Sequence, residues 1–313
     1  MSMTTDIYSD KAVDLVIFTV ADEATIRSRV WDESLLAPPS GKDEAGLSLY
    51  VVTVPVDSQH YPQAKGRRVL PGGFLGVNET IEDAAHRILL ERLGVSLSSK
   101  HKMRQIGIFD NIDRIENRRE LSFAYWAMVN FEDIRRYLGG KEQIGLELVN
   151  SPTIMNQYDG KTGRLENYDG VCRFGHRLMP NVHTGVGHTK TLTTDLPGGR
   201  ILGLDHDDMV FYAWRALRHA FDGRLDPFRY LGINPLGEAF RLSDLQEFTE
   251  VCRGERIQRD LFRRQMQSIS SFVQPTKYTD SSRPGKPAIL YSLQPEVEKD
   301  VRSSVDDKSD PRS

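Results

Sequence analysis

The chain has 313 residues, 39% of them apolar and 27% charged, enough for about two domains with a buried core. No apolar run approaches the roughly 18 residues of a membrane helix, and MSMTTDIYSDK lacks the basic-then-apolar layout of a signal peptide, so a cytoplasmic protein without membrane contact is expected. The net charge of -3 says little until its distribution is read, and the two cysteines, Cys172 and Cys252, fall in segments assigned to different domains, against a disulfide framework.

Val13 to Val20 and Leu47 to Val56 are short runs rich in β-branched residues and read as buried strands. Lys65, Arg67 and Arg68 stand just ahead of a Pro71-Gly72-Gly73 turn. The next helix carries an apolar stripe of Ile81, Ala84, Ala85, Ile88, Leu89 and Leu93. Gln105 to Asp110 and Leu121 to Asn130 are strand-like, and the charged NIDRIENRRE between them looks like a hairpin loop.

Leu70 to Val95, LPGGFLGVNETIEDAAHRILLERLGV, resembles the Nudix box. That pattern places glutamates one turn apart on a helix so that their oxygens hold Mg²⁺ against a diphosphate. Gly73, Glu79, Arg87, Gly94 and Val95 keep its spacing, but two of the three clustered carboxylates are replaced by Ile88 and Arg92, leaving Glu91. An aliphatic removes a ligand and a guanidinium puts a fixed cation in the ion's place, so no metal, no cofactor and no catalytic residue is expected. The remaining pocket is expected to bind an anionic ligand through Arg67, Arg68, Gly72, Gly73, Glu79, Arg87, Glu91 and Arg92, with Arg87 equally able to serve as an internal ion-pair partner. The resemblance covers residues 12 to 135 and implies a mixed-sheet α/β/α sandwich.

Residues 140–200 are rich in Gly, Asn, Asp, His and Thr, show little periodicity, and read as an insertion without an element longer than a few residues. Gly160-Lys161-Thr162 ends like a P-loop, but Met155 stands where the first glycine belongs, and a simple turn is the better reading. Cys172, His176, His183 and His188 have spacings that zinc could use, with solvated loop residues as the favoured alternative. Order returns with a helix at about 205–222, N-capped by Asp205 and closed by Gly223 and Pro227, its acids at the start and Arg215, Arg218 and His219 at the end complementing the dipole.

Arg241 to Arg253 reads as a helix with Ser243 as N-cap and Gln246 as capping-box partner. Gly254 stops it, and Ile257 to Ile269 follows with Ile257, Leu261, Met266 and Ile269 inward and Arg259, Arg263 and Arg264 outward. Phe272 to Pro275 and Ile289 to Leu293 flank a basic loop and form a wing. Between Arg253 and Ala288 eight cations face three carboxylates. A basic second helix with a basic wing suits a duplex backbone and makes Gln258, Arg259, Arg263, Arg264, Lys277, Arg283 and Lys286 the candidate DNA contacts. The tail from Gln294, with six carboxylates against four cations, reads as disordered.

The degenerate box, then DLP and LDH opening a linker helix, then FRRQ and RPGKPAILY in a winged helix-turn-helix, resemble the NrtR family of Nudix-related regulators. The resemblance implies an α+β chain: a Nudix-like ligand-sensing domain at 1–225 with its insertion at about 140–194, a DNA-binding domain at 235–295 and a tail at 296–313. It further implies a homodimeric repressor of NAD or ribose-related metabolism, with an operator duplex and an ADP-ribose-like or sugar effector as partners. A Nudix hydrolase acting on a nucleoside diphosphate derivative such as ADP-ribose is the alternative.

Overall fold

The computed structural model describes residues 11–22, 26, 46–96, 103–111, 114–115, 118–138, 143–150, 174, 201–221, 227–268, 272–282 and 286–302. Strand β1 (Lys11–Asp22) lies at the centre of a mixed sheet and is buried along almost its whole length, as a strand covered on both faces must be. One edge pairs in parallel with β6 (Leu121–Met128), from Lys11 opposite Leu121 to Phe18 opposite Met128. The other edge is shared by β2 (Leu47–Pro55) and β4 (Gly72–Phe74), both antiparallel. The two-residue β3 (Arg68–Val69) extends β2 outward, and β5 (Arg104–Phe109) pairs with β6.

Side-chain alternation along β1 divides the core. Val13, Leu15 and Ile17 face α1 (Ile81–Leu93), whereas Val16, Phe18 and Val20 face α3 (His206–His219). Thr80 caps α1 in a capping box with Asp83, and Gly94 ends it at φ 62°. A side chain at Gly94 would run into the Tyr137 ring, which follows the short α2 (Phe131–Ile134).

The insertion departs from its sequence reading at its start. Gly145–Asn150 forms strand β7, antiparallel to β2, because Leu146, Leu148 and Val149 find apolar neighbours on the two faces of the sheet. Gly160-Lys161-Thr162 and the candidate zinc group Cys172, His176, His183 and His188 lie outside the described residues. No described helix is long and apolar enough to cross a membrane.

Helix α3 begins at the expected cap and ends at Ala220, three residues before the predicted glycine stop. After α4 (Pro227–Leu231) comes a winged helix: β8 (Phe240–Arg241), α5 (Leu242–Arg253), α6 (Arg259–Ser268), β9 (Val273–Asp280) and β10 (Ala288–Leu293), with β10 between β8 and β9 in one sheet. The cap of α5 is Arg241, not Ser243: Asp244 accepts from the Arg241 amide at 3.1 Å, and Gln246 instead donates to Glu250 and to the Ile257 carbonyl. The predicted acidic tail also begins as structure. Residues Pro295–Arg302 form α7, with Val297 buried and Asp300 3.0 Å from Arg229 of α4.

The two domains share one hydrophobic core. Phe18 and Trp126 of the sheet, Trp214 of α3, and Phe228, Phe248, Val251 and Phe262 of the C-terminal half belong to a single buried cluster. Polar ties cross the same seam: the Asn150 amide donates to the Val251 carbonyl at 3.0 Å, and Arg104 donates to the Tyr230 carbonyl at 2.8 Å while its guanidinium lies 3.5 Å from that ring centroid. Cys252 sits fully buried here as a free thiol, pushed up by burial well above the ordinary cysteine range.

Candidate functional site

The box residues assemble into an ion-paired brace. Arg87 donates from Nε and Nη2 to the two oxygens of Glu79 at 2.9 and 2.7 Å, from Nη1 to Glu91 at 3.0 Å, and from Nη2 to the Phe74 carbonyl at 3.0 Å. Glu79 also accepts from the Gly76 amide at 2.6 Å, and these bonds hold its carboxyl down at about 2. Ile88 is 1% exposed, with its branch 3.2–3.3 Å from where a Gly73 Cβ would stand. A divalent cation would therefore meet an aliphatic core contact, an arginine and two carboxylates already bound by Arg87, so the residues present do not fit Mg²⁺. Among the described residues no three His, Cys, Asp or Glu side chains gather as a metal site.

The other named ligand candidates are placed as follows. Gly72 and Gly73 belong to β4, where Gly73 is paired with Val13, and Gly72 lies so close to Asp14 that a Cβ would strike its carboxylate. Arg68 donates to Thr53 Oγ1, the Thr53 carbonyl and the Gln143 carbonyl, each at 2.7 Å. Arg67 donates to the Leu202 carbonyl at 3.3 Å and so ties the turn before α3 to the sheet. Arg92 is exposed on α1, one residue beyond Glu91.

A second constellation escaped the sequence reading. Asp14 of β1, Arg114, Glu120, Ser122 and the Asp205-His206 start of α3 form a buried polar cluster on the α3 side of the sheet. Arg114 donates to Asp14 and Asp205 at 2.9 Å each and stands 3.8 Å from Glu120. Ser122 donates to Asp14, and the Leu70 amide donates to His206 Nδ1 at 2.9 Å, which leaves Nε2 facing Asp14 at 3.6 Å. Burial alone would raise Asp14, but His206, Arg114 and Ser122 hold it well below the carboxylate range. Burial wins at Glu120, which is pushed up despite Arg114 and Arg118. Asp205 occupies the cap position but gives its side chain to Arg114, while Asp207 closes the preceding turn by accepting from the Ile201 and Leu202 amides at 2.7 and 2.8 Å. Leu204 in that turn has φ 58°, a left-handed conformation that L residues adopt at a cost of about 1 kcal/mol.

In the winged helix, Arg259, Arg263 and Arg264 are exposed on α6, Gln258 is exposed just before it, and Lys277 and Lys286 are exposed on the wing. Arg283 lies outside the described residues. The inward face of α6 is Phe262 with Met266, whereas Leu261, expected inside, is 42% exposed. Glu250 fixes the turn between the helices: it accepts from Gln246, Arg256 and the Ile257 amide at 2.9–3.0 Å. Arg241 pairs with Asp280 at 2.6 Å and joins the start of α5 to the wing. Two helices, a fixed turn and a cationic hairpin are what a duplex groove and its phosphates accept.

Residues 232–293 match the family model of the NrtR DNA-binding winged helix domain. The C-terminal domain is thus similar to the winged helix of that family. A curated relative, the ADPR responsive transcriptional repressor NtrR of Acinetobacter baylyi, is 25% identical over 240 residues, 75% of this chain and 73% of the relative. The crystal structure of Shewanella oneidensis NrtR complexed with a 27mer DNA is similar at 20% identity and TM-score 0.54, covering 92% of this chain and 95% of that one. A MutT/nudix family protein from Enterococcus faecalis is similar at 14% identity and TM-score 0.52, covering 91% and 86%. At these identities the likeness to solved structures is one of fold, and the fold is a Nudix-like sandwich followed by a winged helix, in the order read from the sequence.

Proposed function

We propose that this chain is a ligand-responsive transcriptional repressor of NAD or ribose-related metabolism, reading an operator as a homodimer and sensing ADP-ribose or a related metabolite through a Nudix-like domain without hydrolytic activity. The match of the C-terminal domain to the NrtR DNA-binding winged helix carries the reading. The name of the Acinetobacter relative supports the effector, and the Ile88 and Arg92 substitutions support the loss of hydrolysis. Dimerisation follows from site size, since one winged helix makes few phosphate contacts and two match half-sites about one helical turn apart.

The test is retention of duplexes selected from a random pool, with and without ADP-ribose, across salt concentrations. Retention that falls steeply with salt and is relieved by ADP-ribose is expected; retention indifferent to salt would overturn the DNA reading. In the same assay Arg263→Ala or Arg264→Ala should cost about 1–3 kcal/mol where the side chain reaches a base edge. Lys286→Ala should weaken all sequences alike and lower the salt slope by about one. Equal, sequence-blind losses in all three would mean that α6 is not the helix that reads bases.

Hydrolysis of ADP-ribose at millimolar Mg²⁺ should stay at background by phosphate release. Glu91 alone would have to hold the ion while bound to Arg87. Steady turnover that vanishes in Glu91→Gln would establish the hydrolase instead.

A further inference from the structure

Beside the box brace, His60, Tyr61, Phe74 and Arg118 form a platform of rings and a guanidinium. The His60 and Phe74 centroids are 5.9 Å apart, and the Arg118 guanidinium carbon lies 5.0 Å from the Tyr61 centroid and 5.9 Å from that of Phe74. His60 and Arg118 are open to solvent, with 48% and 33% of their side chains exposed. The platform is continuous with the box, because the Phe74 carbonyl is the one that Arg87 grips.

The platform is also wired to the buried cluster. The Tyr61 hydroxyl donates to both oxygens of Glu120 at 3.3 Å, and Arg118 donates to the same carboxylate at 2.8 Å. Glu120 in turn faces Arg114, which holds the Asp205 cap of α3. Arg114 Nη1 and Asp205 Oδ2 are buried without a hydrogen-bond partner among the described residues. Buried orphans are costly, so this network has a reason to rearrange when its charges are shared out differently.

Resting on the effector reading above, we infer that a flat, anionic ligand of the nucleoside diphosphate class seats its ring on the Tyr61 and Phe74 platform and draws Arg118 onto its phosphates, with Arg114 as the positioning residue that passes this to α3. A phosphate competing for Arg118 leaves Glu120 with Arg114 as its remaining cation among the described residues. Closing the 3.8 Å gap between them pulls the guanidinium away from Asp205, at the end of the strained Leu204 turn. Helix α3 shares its core with the winged helix, so a shift at its first turn is felt by the DNA-binding domain. Coupling of this kind is reciprocal: bound DNA weakens the ligand by the factor by which the ligand weakens DNA.

The experiment uses the full chain with ADP-ribose, AMP and ribose 5-phosphate as probes, calorimetry for ligand binding and retention of a selected duplex for DNA. ADP-ribose and AMP should bind at least tenfold more tightly than ribose 5-phosphate, which has no base ring, and Arg118→Gln should weaken ADP-ribose at least tenfold. Glu120→Gln and Arg114→Lys, both checked for a cooperative melt, should still bind ADP-ribose while its effect on DNA retention falls to less than twofold. Ribose 5-phosphate equal to AMP, or unimpaired binding in Arg118→Gln, overturns the platform. Undiminished release in both relay variants overturns the positioning role. Failure of the unsubstituted chain to bind any probe overturns the effector reading and this inference together, whereas binding that leaves DNA retention unchanged overturns the relay and spares the platform.

Discussion

Asp14→Ala is expected to lower the free energy of unfolding by about 3–5 kcal/mol, because it takes from the buried Arg114 one of its two hydrogen-bonded carboxylates and leaves the buried Ser122 hydroxyl without its acceptor. Asp14 takes a charge-assisted bond from Arg114 and another bond from Ser122, and faces His206. Urea denaturation at neutral pH measures the loss, and a value under about 1 kcal/mol would show the cluster to be relaxed rather than interlocked. The pH dependence has a definite sign. The carboxyl of Asp14 is depressed in the folded chain, so its stabilisation is complete above its unfolded value, about 4, and is lost as pH falls through the lower folded value. Glu120, raised by burial, has the opposite sign and gives up its contribution as pH rises from about 4. Stability should therefore fall in acid in the parent chain, and the fall should be shallower in Asp14→Asn.

Trp214→Ala should be as damaging, about 3–5 kcal/mol, and its consequence should reach both domains. Trp214 is fully buried 6.1 Å from Phe211, in the cluster that also contains Phe18 and Trp126 of the sheet and Phe228 and Phe248 of the C-terminal half. A cavity there removes contacts from both sides of the seam at once. Calorimetry should give one unfolding transition in the parent and one, shifted down, in the variant, with DNA retention lost when that transition is passed. Two separated transitions would mean that the domains melt independently and that the shared core contributes little.

Much of this arrangement was legible because periodicity is a local property. The apolar runs of β1 and β2, the stripe of α1 and the basic second helix of the reader needed only neighbouring residues to be read. Leu261 and Phe262 show the limit: both fit an apolar stripe, and only the position of the partner helix decides that Phe262 goes inside. β7 was missed because its pairing partner, β2, lies far back in the chain, and β8 because two residues carry no period. Candidate contacts on the winged helix could be picked by charge, but the cluster around Arg114 could not. NIDRIENRRE has the composition of a solvated loop, and nothing in it marks Arg114 and Glu120 as charges that turn inward. The available signal was Asp14, a lone acid inside the apolar run of β1, which had to find a cation somewhere.

The free thiol of Cys252 acquires a different meaning from its place in the seam. A thiol reacts as the thiolate, and burial both shields this one and suppresses that form. The reader's cysteine is thus insulated from oxidants and alkylating agents while the core stays shut, and becomes reactive during the intervals when it opens. Its modification rate is a clock for the opening of the joint between the two domains, running on the chain's own chemistry with no label to disturb the packing.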